Sequence, residues 1–168
     1  MESGVHLDEF NAEPVESLWP TLLACCDVPA WAQAVADGRP YAEERVLEHT
    51  ADMAAREFTA SDVERALAAH PRIGERAEGK STEAGWSRGE QSGVSQDEQT
   101  QAALLEGNKA YEERFGRVFL ICASGLSAEQ ILESLRQRLT HDDQTEAAVV
   151  ADELRKIALL RLRKVIDA

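Results

Sequence analysis

The imidazole of His70 is aimed by the stiffness of the chain around it. His70 closes the helical run Ala66-Leu67-Ala68-Ala69, and Pro71 both ends that run and steers the preceding residue out of helical geometry. Imidazole titrates near neutrality, so a fixed one can take or give a proton in a reaction. Glu90, within Ser87-Arg88-Gly89-Glu90-Gln91, supplies a carboxylate later in the chain. Beside an imidazole it would raise the pKa of the ring and fix its tautomer. Arg161 is the third candidate. In the last helical run Leu154, Ile157, Ala158, Leu162 and Val165 fall on one stripe at 100° per residue, and Arg161 projects into the middle of it. Arg155, Lys156 and Arg163 lie on or beyond its margin. A core-facing arginine must be paired, because an unpartnered buried charge costs several kcal/mol.

Each of these residues also has a purely structural reading. His70 can interact with the dipole at a helix C-terminus. Ser87 and Glu90 have the spacing of a capping box, in which a hydroxyl accepts from a free backbone N–H and a carboxylate three residues on returns the bond. Arg161 can pair with an internal carboxylate as well as with the carboxylate of a substrate, which arginine grips bidentately. His6 in an N-terminal tail, His49 in a charged helix and His141 in a polar turn form no metal-binding spacing, so no metal site is expected.

The elements that must position these groups are helical. Good helix formers dominate, and nearly every apolar run keeps helical spacing. The pattern predicts an all-α fold with helices over 7–11, 14–25, 29–37, 42–57, 61–69, 96–114, 127–139 and 144–166. Capping boxes are expected at Ser61/Glu64, Ser95/Glu98 and Ser127/Gln130. Residues 70–93, rich in Gly, Ser, Arg and Glu, form the longest stretch without helical periodicity and read as a long irregular loop, a kind of segment that is either disordered or functional, with composition leaning towards disorder. A helix stops at Gly116, and the apolar run Val118–Ala123 after it reads as a short extended segment. Its side chains are core, but its backbone N–H and C=O groups have no sheet partner in a helical protein. A planar, amide-rich heterocycle would suit them.

A chain of 168 residues with 43% apolar content buries one core, so residues 1–168 are read as a single compact domain. The net charge of −13 repels polyanions and makes nucleic acid an improbable partner. The same field requires a local cation in any pocket that takes an anionic substrate. Cys25, Cys26 and Cys122 lack the spacing of a zinc or redox site, and a reducing cytoplasm suits them. The first ten residues are acidic where a secretory leader is basic and then apolar, and no stretch approaches ~18 continuous apolar residues. Neither secretion nor membrane insertion is expected.

Five motifs in order, His70-Pro71-Arg72-Ile73-Gly74, Ser87-x-x-Glu90-Gln91, Asn108-x-x-Tyr111-x-x-Arg114-Phe115-Gly116, Ile121-Cys122-Ala123 and Leu160-Arg161-Leu162, resemble the family of 2-oxo-4-hydroxy-4-carboxy-5-ureidoimidazoline (OHCU) decarboxylases over nearly the whole chain. The resemblance implies an all-α homodimer that decarboxylates OHCU to (S)-allantoin in urate degradation, without metal or organic cofactor. It makes His70 the catalytic acid/base and Glu90 its hydrogen-bonding companion. Pro71, Ser87, Gln91, the segment Arg117, Val118, Phe119, Leu120 and Ile121, and Arg161 become substrate-binding. The family usually reads Phe-Gly-Phe-Pro-Phe where this chain has Phe115-Gly116-Arg117-Val118-Phe119. Contacts made by the backbone of residues 117–121 survive that change, whereas side-chain contacts need not. Two rival readings stand beside this one: a hydrolase or lyase acting on a related ureide with the same histidine and glutamate, and a non-catalytic helical interaction protein.

Overall fold

The computed structural model describes residues 2–70, 86 and 98–167, all helix or irregular backbone with no strand among the described residues. Eight helices occur there: α1 (Glu2–Ala12), α2 (Val15–Cys25), α3 (Pro29–Asp37), α4 (Glu44–Ala55), α5 (Ala60–Leu67), α6 (Glu98–Phe115), α7 (Ala128–Arg138) and α8 (Asp143–Asp167). The expected helices are recovered with shifted ends. His6 is a correction: the tail expected around it is the body of α1. The expected loop falls largely on residues 71–97, of which only Trp86 is among the described residues.

Capping explains two of the helix starts. Ser127 accepts from the Gln130 N–H, and the Gln130 side chain accepts in return from the Ser127 N–H at 2.9 Å, as expected. The box expected at Ser61/Glu64 is instead built by Thr59 and Asp62, whose side chains each accept from the other's backbone N–H, at 3.1 and 2.9 Å. Helix α5 therefore begins at Ala60, and Ser61 lies inside it. The Ser95/Glu98 and Ser87/Glu90 boxes involve residues outside those described.

Residue contacts group the chain into two units, Met1–Ala66 with Leu154–Ala168, and Leu67–Glu153. In the first, α3 packs against α2 and α4. Trp31 is 1% exposed and its indole N–H donates to the Ala51 carbonyl at 3.0 Å, joining α3 to α4. Arg39 reaches the Phe10 and Glu13 carbonyls from its Nη1, at 3.0 and 2.6 Å, and so secures the end of α1. The last part of α8 belongs to this unit, where Arg155 pairs with Asp52 at 2.6 Å and Arg163 with Glu48 at 2.7 Å. Its buried stripe contains Leu154, Ile157, Ala158, Arg161 and Leu162 as expected, but ends on Ile166 rather than Val165.

In the second unit α6 and α7 pack closely: a Cβ on Gly107 would run into the Leu135 side chain. The core there joins Leu104 and Tyr111 of α6, Phe119, Ile121 and Ala123 of the segment that follows, and Ala128, Ile131 and Leu135 of α7. Burying this apolar surface is what holds a non-helical segment inside a helical unit.

Candidate active site

His70 follows the end of α5 at Leu67, and its backbone N–H donates to the Leu67 carbonyl at 3.0 Å. The residue is half-buried. Pro71, Ser87, Glu90 and Gln91 lie outside the described residues.

The segment after α6 is the best-defined part of the expected site. Gly116 has φ +70° and Gly125 φ +80°, and a Cβ at either would meet nothing within 4 Å, so glycine is needed for the backbone turn and not for space. Between them the chain is non-helical, with Phe119, Leu120 and Ile121 buried and Arg117 and Val118 half-buried. Among the described residues, the backbone groups of Val118, Phe119 and Ile121 make no hydrogen bond. For the buried residues Phe119 and Ile121 that is a departure from the rule that buried backbone polar groups are paired. The Arg117 Nε is likewise buried without a partner among the described residues.

Two backbone groups of the segment are held by buried charged side chains. Arg138 donates from Nη1 to the Leu120 carbonyl at 2.6 Å, and the Cys122 N–H donates to Glu153 Oε1 at 3.2 Å. Arg138 in turn donates to Glu146 Oε2 from Nε at 2.9 Å and from Nη2 at 2.5 Å. The Tyr111 hydroxyl donates to the same oxygen at 2.5 Å, and His141 Nδ1 stands 3.1 Å from Oε1. The guanidinium also lies 4.5 Å from the Phe119 ring centre and 5.8 Å from that of Tyr111, a cation–π arrangement. Glu146 is 0% and Arg138 4% exposed. Burial alone would push the Glu146 carboxyl up, but the hydrogen bonds from Arg138, then Tyr111 and His141, outweigh it and hold it below the usual carboxylate range. Burial and the bond to Glu146 push the Tyr111 phenol up, so it remains a donor.

In the first unit, Arg161 is 1% exposed and donates from Nη1 to the Ala24 carbonyl at 3.0 Å, which ties α8 to α2. Among the described residues, no three His, Cys, Asp or Glu side chains are grouped to hold a metal ion, and no helix is long and apolar enough to cross a membrane. Cys25, Cys26 and Cys122 form no disulfide, and burial pushes the Cys26 thiol up.

Arg138, Glu146 and Glu153 are not among the residues expected from sequence. The signal was present: Arg138 continues the stripe of Ile131 and Leu135, and Glu146 and Glu153 share a face with Val150 and Ile157, all of them buried. Like Arg161, these three stand on the buried stripe of their helix.

A family model described as OHCU decarboxylase matches residues 11–163. The chain belongs to the OHCU decarboxylase family. It is therefore a carboxy-lyase of urate degradation. The 2-oxo-4-hydroxy-4-carboxy-5-ureidoimidazoline decarboxylase of Amia calva is 33% identical to this OHCU decarboxylase over 142 residues, 83% of this chain and 81% of the relative. The uric acid degradation bifunctional protein of Arabidopsis thaliana is 28% identical over 145 residues, but this chain covers only 44% of its length. A crystal structure of OHCU decarboxylase in the presence of (S)-allantoin matches with a TM-score of 0.74 at 26% identity, covering 87% of this chain and 96% of that one.

Proposed function

We propose that this OHCU decarboxylase forms (S)-allantoin with His70 as the acid/base and Glu90 as its hydrogen-bonding companion. Pro71, Ser87, Gln91, residues 117–121 and Arg161 form the substrate-binding set, and the chain works as a homodimer of single-domain protomers. The observation that carries the site reading is the unpaired backbone of half-buried Val118 and of buried Phe119 and Ile121, a set of donors and acceptors suited to a ring of amide-like groups.

The substrate contains its own electron sink. Its carboxylate and hydroxyl share one ring carbon, next to a carbon of an imine. When the C–CO2 bond breaks, the bonding pair moves into the adjacent C=N and the nitrogen takes a proton. The hydroxyl carbon then becomes a carbonyl as its proton leaves, and the neighbouring carbon gains a proton on one face. One proton has replaced CO2. The protein supplies orientation, the proton transfers and a chiral surface. His70, kept in one tautomer by Glu90, handles the protons. Arg117, with its unpaired Nε, and Arg161 attract and orient the anion. Holding the departing carboxylate too tightly would stabilise the ground state and slow the reaction, so their role is placement.

The test supplies freshly generated OHCU and follows the optical activity of the product with wild type, His70→Ala and Glu90→Gln. Loss of a single acid/base group is expected to lower kcat by on the order of 10²–10⁴. Undiminished formation of (S)-allantoin by the His70 variant removes that residue from the chemistry. Release of ammonia or urea in place of CO2 would favour the rival ureide hydrolase.

A further inference from the structure

Ile121 lies between two pinned peptide groups. The peptide joining Leu120 to Ile121 is held through its carbonyl by Arg138 at 2.6 Å, and the next, joining Ile121 to Cys122, through its N–H by Glu153 at 3.2 Å. Both are trans, since the cis peptide among the described residues is Arg39-Pro40. In a trans peptide the N–H and C=O point in opposite directions from one rigid plane. With the Leu120 carbonyl directed at Arg138, the Ile121 N–H is directed away from it. With the Cys122 N–H directed at Glu153, the Ile121 carbonyl is directed away from that carboxylate. Ile121 is 6% exposed, and neither of these two backbone groups has a partner among the described residues.

The anchors are themselves fixed. Arg138 is locked by Glu146, Tyr111 and the Phe119 ring, and both it and Glu153 are buried, at 4% and 8% exposure. A buried ion pair is seldom the most stable filling for a core, since apolar residues of similar volume often do as well or better. Its retention around this one carbonyl calls for a reason beyond packing.

We propose that Arg138 and Glu153 are positioning residues, which set the peptide planes on either side of Ile121 so that its N–H and C=O form a preset donor and acceptor for the ring amide of the substrate. This rests on the function proposed above and adds how the binding backbone is oriented. Neither side chain touches substrate. Pre-setting the planes removes the ordering that binding would otherwise have to impose.

The experiment is steady-state kinetics on OHCU, well below the melting temperature, with wild type, Glu153→Leu, Glu153→Gln and the double variant Arg138→Met/Glu146→Leu. Circular dichroism verifies the fold of each. The double variant removes the whole ion pair, so that no lone charge remains in the core, and frees the Leu120 carbonyl. Glu153→Gln keeps an acceptor for the Cys122 N–H. The expected result is a KM raised roughly 5- to 10-fold in Glu153→Leu and in the double variant, the worth of about one neutral hydrogen bond. Their kcat is expected to stay within about 2-fold, since the contact serves ground and transition states alike, and Glu153→Gln to behave as wild type. Unchanged KM in folded Glu153→Leu and double variants, with only the melting temperature lowered, overturns the proposal. Glu153→Gln as impaired as Glu153→Leu also overturns it, because the charge and not the acceptor would then matter. Wild type inactive on OHCU overturns the functional reading itself, a result distinct from either of those.

Discussion

Replacing Arg138 by Met tests the energetics of the buried cluster directly. The change keeps the aliphatic stem but deletes the guanidinium, leaving Glu146 at 0% exposure with only the Tyr111 hydroxyl and His141 as neighbours among those described, and the Leu120 carbonyl without its donor. Removing one partner of a buried pair costs roughly 3–5 kcal/mol, because the other charge stays desolvated. For a chain of this size each kcal/mol moves the melting temperature by about 2–4 °C, so a fall of roughly 6–20 °C is expected. Arg138→Met/Glu146→Leu should recover most of that loss, since it leaves no charge behind and restores apolar volume. Urea unfolding of wild type, both single variants and the double variant gives the coupling energy, expected at about 2–4 kcal/mol. A single variant destabilised by less than about 1 kcal/mol, or a coupling near zero, would refute the reasoning, since the pair would then be as weak as a surface salt bridge.

The acid stability of the protein should carry the signature of the same carboxylate. The folded Glu146 value lies below the ordinary one near 4.3, so its contribution is fully present above that value and is lost as pH falls through the folded value. Melting temperatures are therefore expected to drop steeply below about pH 4 in wild type and less steeply in the double variant. An acid limb identical in the two would assign the loss to other carboxylates. Gly116→Ala places a Cβ at φ +70° and should cost about 1–2 kcal/mol through backbone strain alone, as nothing stands within 4 Å to clash. An unshifted thermal midpoint would mean that the turn relaxes. Arg117→Met removes the unpaired donor at the start of the proposed binding segment and should raise KM for OHCU by on the order of 10-fold. A KM equal to that of wild type would take the Arg117 side chain out of substrate binding.

Local pattern made most of the helices legible, together with the stop at Gly116, the lack of a sheet partner for the run after it and the burial of Arg161. Each depends on residues near in sequence: a stripe at helical spacing, a residue type that tolerates positive φ, a hydroxyl at a cap. Even within that range the Thr59/Asp62 box was missed for a longer Ser/Glu pair beside it, because a shorter carboxylate closes the same bond. The family too is written in the order of motifs along the chain. Tertiary structure decided what the buried charges hold. The stripe of Ile131 and Leu135 already separates Arg138, 4% exposed, from the exposed Arg136, but does not show that Arg138 lies against Phe119. Helical spacing marks a position as inward but does not name its partner, which depends on how α6, α7 and the start of α8 meet. Only there do Tyr111, Arg138, Glu146 and Glu153 come to bear on Leu120 and Cys122, because hydrogen bonds depend on distances of a few tenths of an ångström that sequence separation does not encode.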